Sequence, residues 1–290
     1  MLVPWALAHT RAGGAQKRRG VEAVPRRAAG GEGDGVRDDV QVGQRRVGLV
    51  VIPAFNEAGH IAEVLGAVRD RAPHFDALVV DDGSTDRTVD RAHCAGARVA
   101  SHPFNLGYGA ALQTGYVLAL REGYRVVVQL DADGQHDPAC IEALAAPVLE
   151  GRLDAVLGSR FHPDSDYRMP WLRRIGSAWF GLLVRLFTGV SISDPTSGFQ
   201  ALSPRALQLY TSSAFPADYP DADVTILLHR HRMRFGEIPV RMHERPEAGS
   251  MHSGLTVVYY VYKMTLGILM NLIREEIPLP EPSQSRDRVA

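Results

Sequence analysis

The 290-residue chain has two cysteines, Cys94 and Cys140, and neither belongs to a Cys-x-x-Cys pair or stands at ligand spacing from a histidine. A disulfide framework and a structural zinc site are therefore excluded, and a reducing compartment is expected. Neither sign of charge dominates: 32 basic against 33 acidic side chains give a formal net charge of -1. That balance argues against a nucleic-acid binder, because phosphate backbones demand a net basic footprint. Lysine is nearly absent. Lys17 and Lys263 are the only two, and neither ends a strand, where a phosphorelay receiver would need one. No Gly-x-Gly-x-x-Gly follows the first predicted strand, as a nicotinamide-dependent enzyme requires. Met1 to Ala8 is apolar but lacks a basic flank, so no signal peptide is expected. Leu255 to Ile273 is long enough to cross a bilayer, but Lys263 and Asn271 oppose passage.

What remains is ample for a folded domain. With 45% hydrophobic residues, a chain of this size can bury about 75% of the surface its unfolded form exposes. The opening stretch is different in kind. Residues 1–46 carry nine Lys or Arg and five Asp or Glu, about +4, cluster Gly30, Gly31, Gly33 and Gly35, and show no apolar period. Residues 1–45 are expected to be a disordered extension, 46–253 a catalytic domain, 254–276 an amphipathic helix at a membrane interface, and 277–290 a disordered tail.

From Arg46 onward short Val/Leu/Ile runs alternate with segments of helical period, each run ending in Gly, Asp or Pro. Strands are predicted near Val47–Pro53, Ala77–Asp81, Ala97–Ser101, Arg125–Leu130 and Ala155–Gly158. Helices are predicted near Glu57–Arg69, Asp86–Ala95, Leu106–Arg121 and Pro138–Leu149, the last with Asp137 as N-cap and Pro138 at the first helical position. Strands apolar on both faces and joined by helical crossovers imply a Rossmann-like, mostly parallel α/β sheet flanked by helices. Ligands in such folds bind beyond the carboxyl ends of the strands.

Carboxylates gather at that edge: Pro53-Ala54-Phe55-Asn56-Glu57 after the first strand, Asp81-Asp82-Gly83-Ser84-Thr85-Asp86 after the second, and Asp131-Ala132-Asp133-Gly134-Gln135-His136 after the fourth. Such groups repel and raise one another's pKa unless a cation or donors share the site, and a divalent cation with oxygen ligands resolves this simply. Asp131 and Asp133 would point to opposite faces of a continuing strand, so a bend after Leu130 is required, for which Gly134 is suited. The competing reading is an acidic turn capping the helix from Pro138. A calcium loop starting at Asp131 fails because His136 stands where Gly is needed.

PAFNE, VVDDGSTDRT, NLGYGAALQTGY, LDADGQHDP, LGSRF and DPTSGFQAL follow in this order over about 150 residues. Together they resemble the family 2 glycosyltransferases of GT-A fold, and within them the polyprenyl- or dolichyl-phosphate mannose and glucose synthases. The resemblance implies that Pro53, Phe55, Glu57, Val80 and Asp82 neighbour the nucleotide. Phe55 stands where the family often has Tyr, so a contact through a phenol is lost. It implies further that Asp131, Ala132 and Asp133 approach the donor diphosphate, that Asp131, Asp133 and Gln135 hold Mn²⁺ or Mg²⁺, and that Arg160 and Arg245 bring positive charge to phosphate. Arg245 would belong to a closing loop with Gly249, Ser250 and His252.

The implied activity is inverting transfer of a hexose from GDP-mannose or UDP-glucose to a polyprenyl phosphate. An acceptor that is already anionic needs no base. The alternative, a sugar or small-molecule hydroxyl, would need Asp221 or Asp223, whose rival role is capping the helix from Val224 to His231. Trp171–Thr188 and Leu255–Arg274 read as C-terminal amphipathic helices suited to a membrane interface. They equally fit core-closing or dimer helices. The expected setting is cytoplasmic and peripheral to the membrane, through the lipid surface or a small membrane partner protein, with no nucleic acid and with a homo-oligomer left open.

Overall fold

The computed structural model describes residues 47–161, 171–216, 220, 222–243, 262, 265–271 and 273, and of 171–176 the backbone alone. The extension 1–45, the tail 277–290, Asp221, Arg245 and His252 lie outside the described residues.

Seven strands, β1 (Gly48–Ala54), β2 (Phe75–Asp81), β3 (Arg98–Ser101), β4 (Val126–Gln129), β5 (Ala155–Ser159), β6 (Gln200–Leu202) and β7 (Phe235–Pro239), form one sheet in the order β3-β2-β1-β4-β6-β5-β7. Every pairing is parallel except those of β6, which runs against both β4 and β5. The predicted strands fall on β1 to β5 with ends shifted by at most two residues. β6 and β7 had no signal of their own. β6 is three residues long, and β7 carries Glu237 and Pro239 and is only half buried, so neither shows a period that sequence could reveal.

Helices cover both faces. On one, α1 (Ile61–Arg71) and α4 (Ile141–Leu149) pack Ile61, Val64, Leu65, Ile141 and Leu144 over Val50, Ile52, Val126 and Val128. On the other, α3 (Tyr108–Glu122) and α6 (Pro204–Tyr210) pack Leu112, Tyr116, Leu207 and Tyr210 over Leu49, Val51 and Val127. This alternation along β1 and β4 is the period of two that a strand covered on both sides imposes. α2 (Thr88–Cys94) lies between β2 and β3. A smaller cluster joins α5 (Trp171–Thr188) and α7 (Ala222–Arg230) to the sheet through Leu157, Phe180, Val184 and Ile226, and Ile268 of the helical stretch 265–271 belongs to it.

Two local features shape the sheet's carboxyl edge. α1 starts at Ile61 and not at Glu57, and the backbone N–H groups of Glu57 and Ala58 donate to Thr88 Oγ1 and Asp86 Oδ2 across the edge. Pro53 sits in a central strand, where a missing N–H would ordinarily break a ladder. Here the β1–β4 register ends at Val51 and Gln129, and Leu130 N–H donates to Val51 O. Ile52 and Ala54 turn their polar groups to β2, so the absent donor of Pro53 falls where β4 has already parted from β1. The two strands diverge at that point, at the place where the sheet order reverses and crevices form.

α3 approaches β1 closely through Gly115, where an added Cβ would lie 2.4 Å from Val51 Cγ1. Gly115→Val is therefore expected to lower unfolding stability by about 3 kcal/mol through overpacking, measured as a shift in the denaturant midpoint at unchanged slope.

Candidate active site

β4 stops at Gln129 and the chain turns over Asp131–Gln135, with Gly134 at φ +76° supplying the bend. Asp133 is 5% exposed, and its Oδ1 accepts from Gln135 N–H at 3.0 Å. Asp131 Oδ1 accepts from the Tyr108 hydroxyl at 2.7 Å, and Asp131 N–H donates to His136 Nδ1 at 3.1 Å. That bond places the remaining ring proton of a neutral His136 on Nε2, 3.7 Å from Asp131 Oδ2. His136 is buried and stacked on Phe199 at 4.7 Å, and burial, reinforced by Arg160, pushes it down to about 4. The ring is therefore neutral at pH 7 and serves as a wedge with one acceptor. Asp137 caps the following turn, Pro138–Cys140, by accepting from Ala139 N–H, so the capping role and the acidic bend coexist on different residues.

Burial raises the carboxyls of both Asp131 and Asp133 above their usual range. The Tyr108 hydrogen bond and the charge of Arg160 oppose the shift at Asp131, while the charge of Asp131 adds to it at Asp133. Two crowded carboxylates beside an amide side chain, Gln135, form a set of hard oxygen donors that suits Mg²⁺ or Mn²⁺ with further ligands from water and phosphate. Among the described residues no group of three or more His, Cys, Asp or Glu side chains could hold a metal by itself. Two protein carboxylates plus substrate oxygens remain a fitting set.

Four side chains expected near the nucleotide or diphosphate are buried. Asp82 is completely buried, and its oxygens accept from His102 Nδ1, Leu106 N–H and Gly107 N–H at 2.6, 2.9 and 2.9 Å. It fixes the loop leading into α3. Val80 is fully buried on the α3 face of β2, and Pro53 and Ala132 are buried as well. Phe55 is half-buried after β1, and Glu57, 7% exposed, is 3.1 Å from His60 Nδ1. Asp81 accepts from Ser84 N–H, which is the strand-end role its position allowed.

Arg160 follows β5 at the same edge, but its fork is engaged. Nε and Nη2 reach Asp194 Oδ2 and Oδ1 at 2.6 and 2.8 Å, and Nη2 also reaches Thr196 Oγ1 at 3.1 Å. A bidentate pair this dry fixes the guanidinium in one orientation. Arg160 is thus a braced charge whose field reaches Asp131. Asp223 is buried at 5%, accepts from Val224 N–H, and faces Gly267 of the stretch 265–271, where an added Cβ would lie 3.1 Å from Asp223 Oδ2. It packs one helix against another. Tyr108, His136, Asp194 and Phe199 were missed as site residues. Tyr108 and the Asp194–Phe199 loop lay within the quoted strings, but only the fold brings them to the acidic turn.

Residues 49–210 match the family model described as Glycosyl transferase family 2. The chain belongs to this family. Among similar proteins, the polyprenol monophosphomannose synthase of Mycolicibacterium smegmatis is 32% identical over 74% of this chain and 84% of its own length. The undecaprenyl-phosphate mannosyltransferase of Micrococcus luteus is 33% identical over 75% of this chain and 92% of its own. Glucosyl-3-phosphoglycerate synthase from Mycobacterium tuberculosis, solved with Mn²⁺, UDP and glucosyl-3-phosphoglycerate, superposes with a TM-score of 0.57 at 22% identity, covering 78% of this chain and 79% of that one. That likeness bears on the fold: the family 2 enzyme described here has a GT-A sheet.

Removing Asp194 strands a buried cation. Asp194→Asn is expected to cost about 3–5 kcal/mol of stability, read from the denaturation midpoint, and Arg160→Met combined with it is expected to recover part of that loss.

Proposed function

We propose that this glycosyltransferase moves a hexose from a nucleoside diphosphate sugar to a polyprenyl phosphate, assisted by a divalent cation at Asp131 and Asp133 with Gln135 as a neighbouring ligand. The observation that carries the reading is the pair of crowded, desolvated carboxylates at the mouth of the β1–β4 divide, which a cation would relieve. The two mannosyltransferases at 32% and 33% identity are named for polyprenol-linked acceptors, which supports the acceptor class. The mycobacterial synthase was crystallised with Mn²⁺ and UDP, which supports the metal and the donor class.

Asp131, Asp133 and Gln135 would hold a Mg²⁺ or Mn²⁺, and the chemistry it would supply there is neutralisation of charge developing on the departing diphosphate. The chain's own contribution is preorganisation. Tyr108 and His136 hold the two sides of Asp131, Asp194 holds Arg160 so that its field stays aimed, and Phe55 and Glu57 stand beside the crevice for the nucleoside. A lipid monophosphate is already an anion at neutral pH, so attack on the anomeric carbon needs placement more than proton removal. The burial of Asp223 weakens the case for a hydroxyl acceptor served by that carboxylate.

A lipid-facing surface accompanies the site. Trp179, Leu182, Leu186 and Phe187 of α5 and Leu266, Leu269, Met270 and Ile273 near the C-terminus are exposed, several by more than half, while Phe180, Val184 and Ile268 anchor the same segments inward. Apolar faces on helices tied to one cluster suit the plane of a membrane interface. Among the described residues no helix is long and apolar enough to cross a membrane.

With radiolabelled GDP-mannose or UDP-glucose, Mn²⁺ and undecaprenyl phosphate, the purified protein should yield labelled lipid. Transfer to soluble acceptors instead would sink the acceptor assignment. Asp133→Ala should reduce turnover at least a thousandfold, about 4 kcal/mol of barrier, with an unchanged far-ultraviolet spectrum. Trp179→Glu with Leu186→Glu should cut cosedimentation with anionic vesicles severalfold while sparing transfer to a detergent-dispersed short-chain acceptor. Equal sedimentation of variant and parent would exclude this surface.

A further inference from the structure

Below the acidic turn lies a buried polar layer that the proposed chemistry does not account for. Gln129 of β4 and Gln200 of β6 are register partners, so they stand side by side on one face of the sheet, the face under α3 and α6. They are 3% and 4% exposed. Each accepts at Oε1 from a buried tyrosine: Tyr116 donates to Gln129 at 2.6 Å and Tyr210 to Gln200 at 3.3 Å, with the two rings 5.9 Å apart. The two amides then lead to different places. Gln200 Nε2 donates to Ser197 O at 2.9 Å, which ends that branch on the backbone. Gln129 Nε2 donates to Tyr108 Oη at 2.7 Å, and Tyr108 donates to Asp131 Oδ1 at 2.7 Å.

The polarity of the longer branch is fixed. An ionised carboxylate only accepts, so Tyr108 directs its proton to Asp131 and must accept from Gln129, which turns the Gln129 oxygen toward Tyr116. Reversing the amide would set the Gln129 oxygen against a Tyr108 oxygen whose proton is already given to Asp131, acceptor against acceptor, at the full cost of a buried unmade bond. Gly198 leaves the space this requires: an added Cβ there would lie 3.2 Å from Tyr108 Oη and 3.4 Å from Asp131 Oδ2.

We propose that Tyr116, Gln129 and Tyr108 are positioning residues that hold Asp131 in one orientation through Oδ1, so that the carboxylate meets the cation and diphosphate already aligned. This rests on the metal-assisted reading above. Partners of a ligand carboxylate commonly set metal affinity by tenfold or more, and a chain anchored in the core ties that affinity to the packing of α3. The Tyr210–Gln200 branch is an internal control, equally buried and chemically alike but not ending on Asp131.

The test is Mn²⁺ binding, followed by loss of the free-ion electron paramagnetic resonance signal in the presence of whichever of GDP or UDP raises the melting temperature of the parent protein. Tyr108→Phe should raise the Mn²⁺ dissociation constant about tenfold and lower the melting temperature by a few degrees, because the buried Gln129 Nε2 loses its acceptor. Tyr116→Phe should raise the dissociation constant severalfold, and Tyr210→Phe should leave it within twofold even where its melting temperature falls as far as that of Tyr116→Phe. Parent-like Mn²⁺ binding by Tyr108→Phe, or equal weakening by Tyr116→Phe and Tyr210→Phe, would overturn the positioning role while leaving the metal site standing. A parent protein that binds no Mn²⁺ would overturn both.

Discussion

A carboxylate taken out of water must find donors, a counter-charge or a proton, and the carboxyl edge of this sheet is organised by that requirement. Asp82, Asp194 and Glu237 meet it inside the protein, and the exposed Asp86 is held by donors at the surface. Asp82 accepts three donors, Asp86 accepts from Thr88 and Ala58, Asp194 pairs with Arg160, and Glu237 accepts from the backbone and hydroxyl of Ser193. Burial pulls the Asp86 carboxyl upward, but its hydrogen bonds outweigh this and hold it below the usual value. Asp131 and Asp133 differ. Their donors do not offset their desolvation, and both stay raised. An edge rich in acids is thereby sorted by one criterion, and the unsatisfied pair is the place where an external cation has most to contribute.

The satisfied acids also explain how loops at such an edge hold still. Asn56 and Thr85 bond across from the β1 loop to the β2 loop, and Thr88 and Asp86 complete the same seam from the other side. Asp82 fastens the loop before α3, and Gly83 at φ +74° lies so near Phe104 and Asn105 that a side chain there would strike their backbone. Side-chain-to-backbone bonds of this kind occupy the residues just ahead of α1 and α2, both of which begin later than predicted.

Much of the fold was legible because a strand covered on both faces needs a continuous apolar run, and five such runs stand in the sequence from Val47 to Gly158. β6 was not, because three residues held between two neighbours owe their conformation to pairing and not to pattern. The acidic turn could be found from Asp131, Asp133 and Gly134 alone. The functions of Asp82 and Arg160 could not, since sequence reveals a charge but not whether its partner, here His102 or Asp194, waits within the fold. A resemblance carries positions over, and burial then decides which of those side chains remain available.

Three independent ties converge on this edge: the β1–β2 loop seam, the glutamine–tyrosine layer beneath β4 and β6, and the Arg160–Asp194 pair between β5 and β6. None shares a side chain with another. A donor diphosphate entering there would meet groups whose rotamers are already set, so little of its binding energy would be lost to ordering them. The field of a fixed guanidinium and the reach of a fixed carboxylate act fully only when neither can swing away as charge moves to the leaving group. Rigidity at this edge is therefore the feature that links the packing of the sheet to the chemistry of sugar transfer.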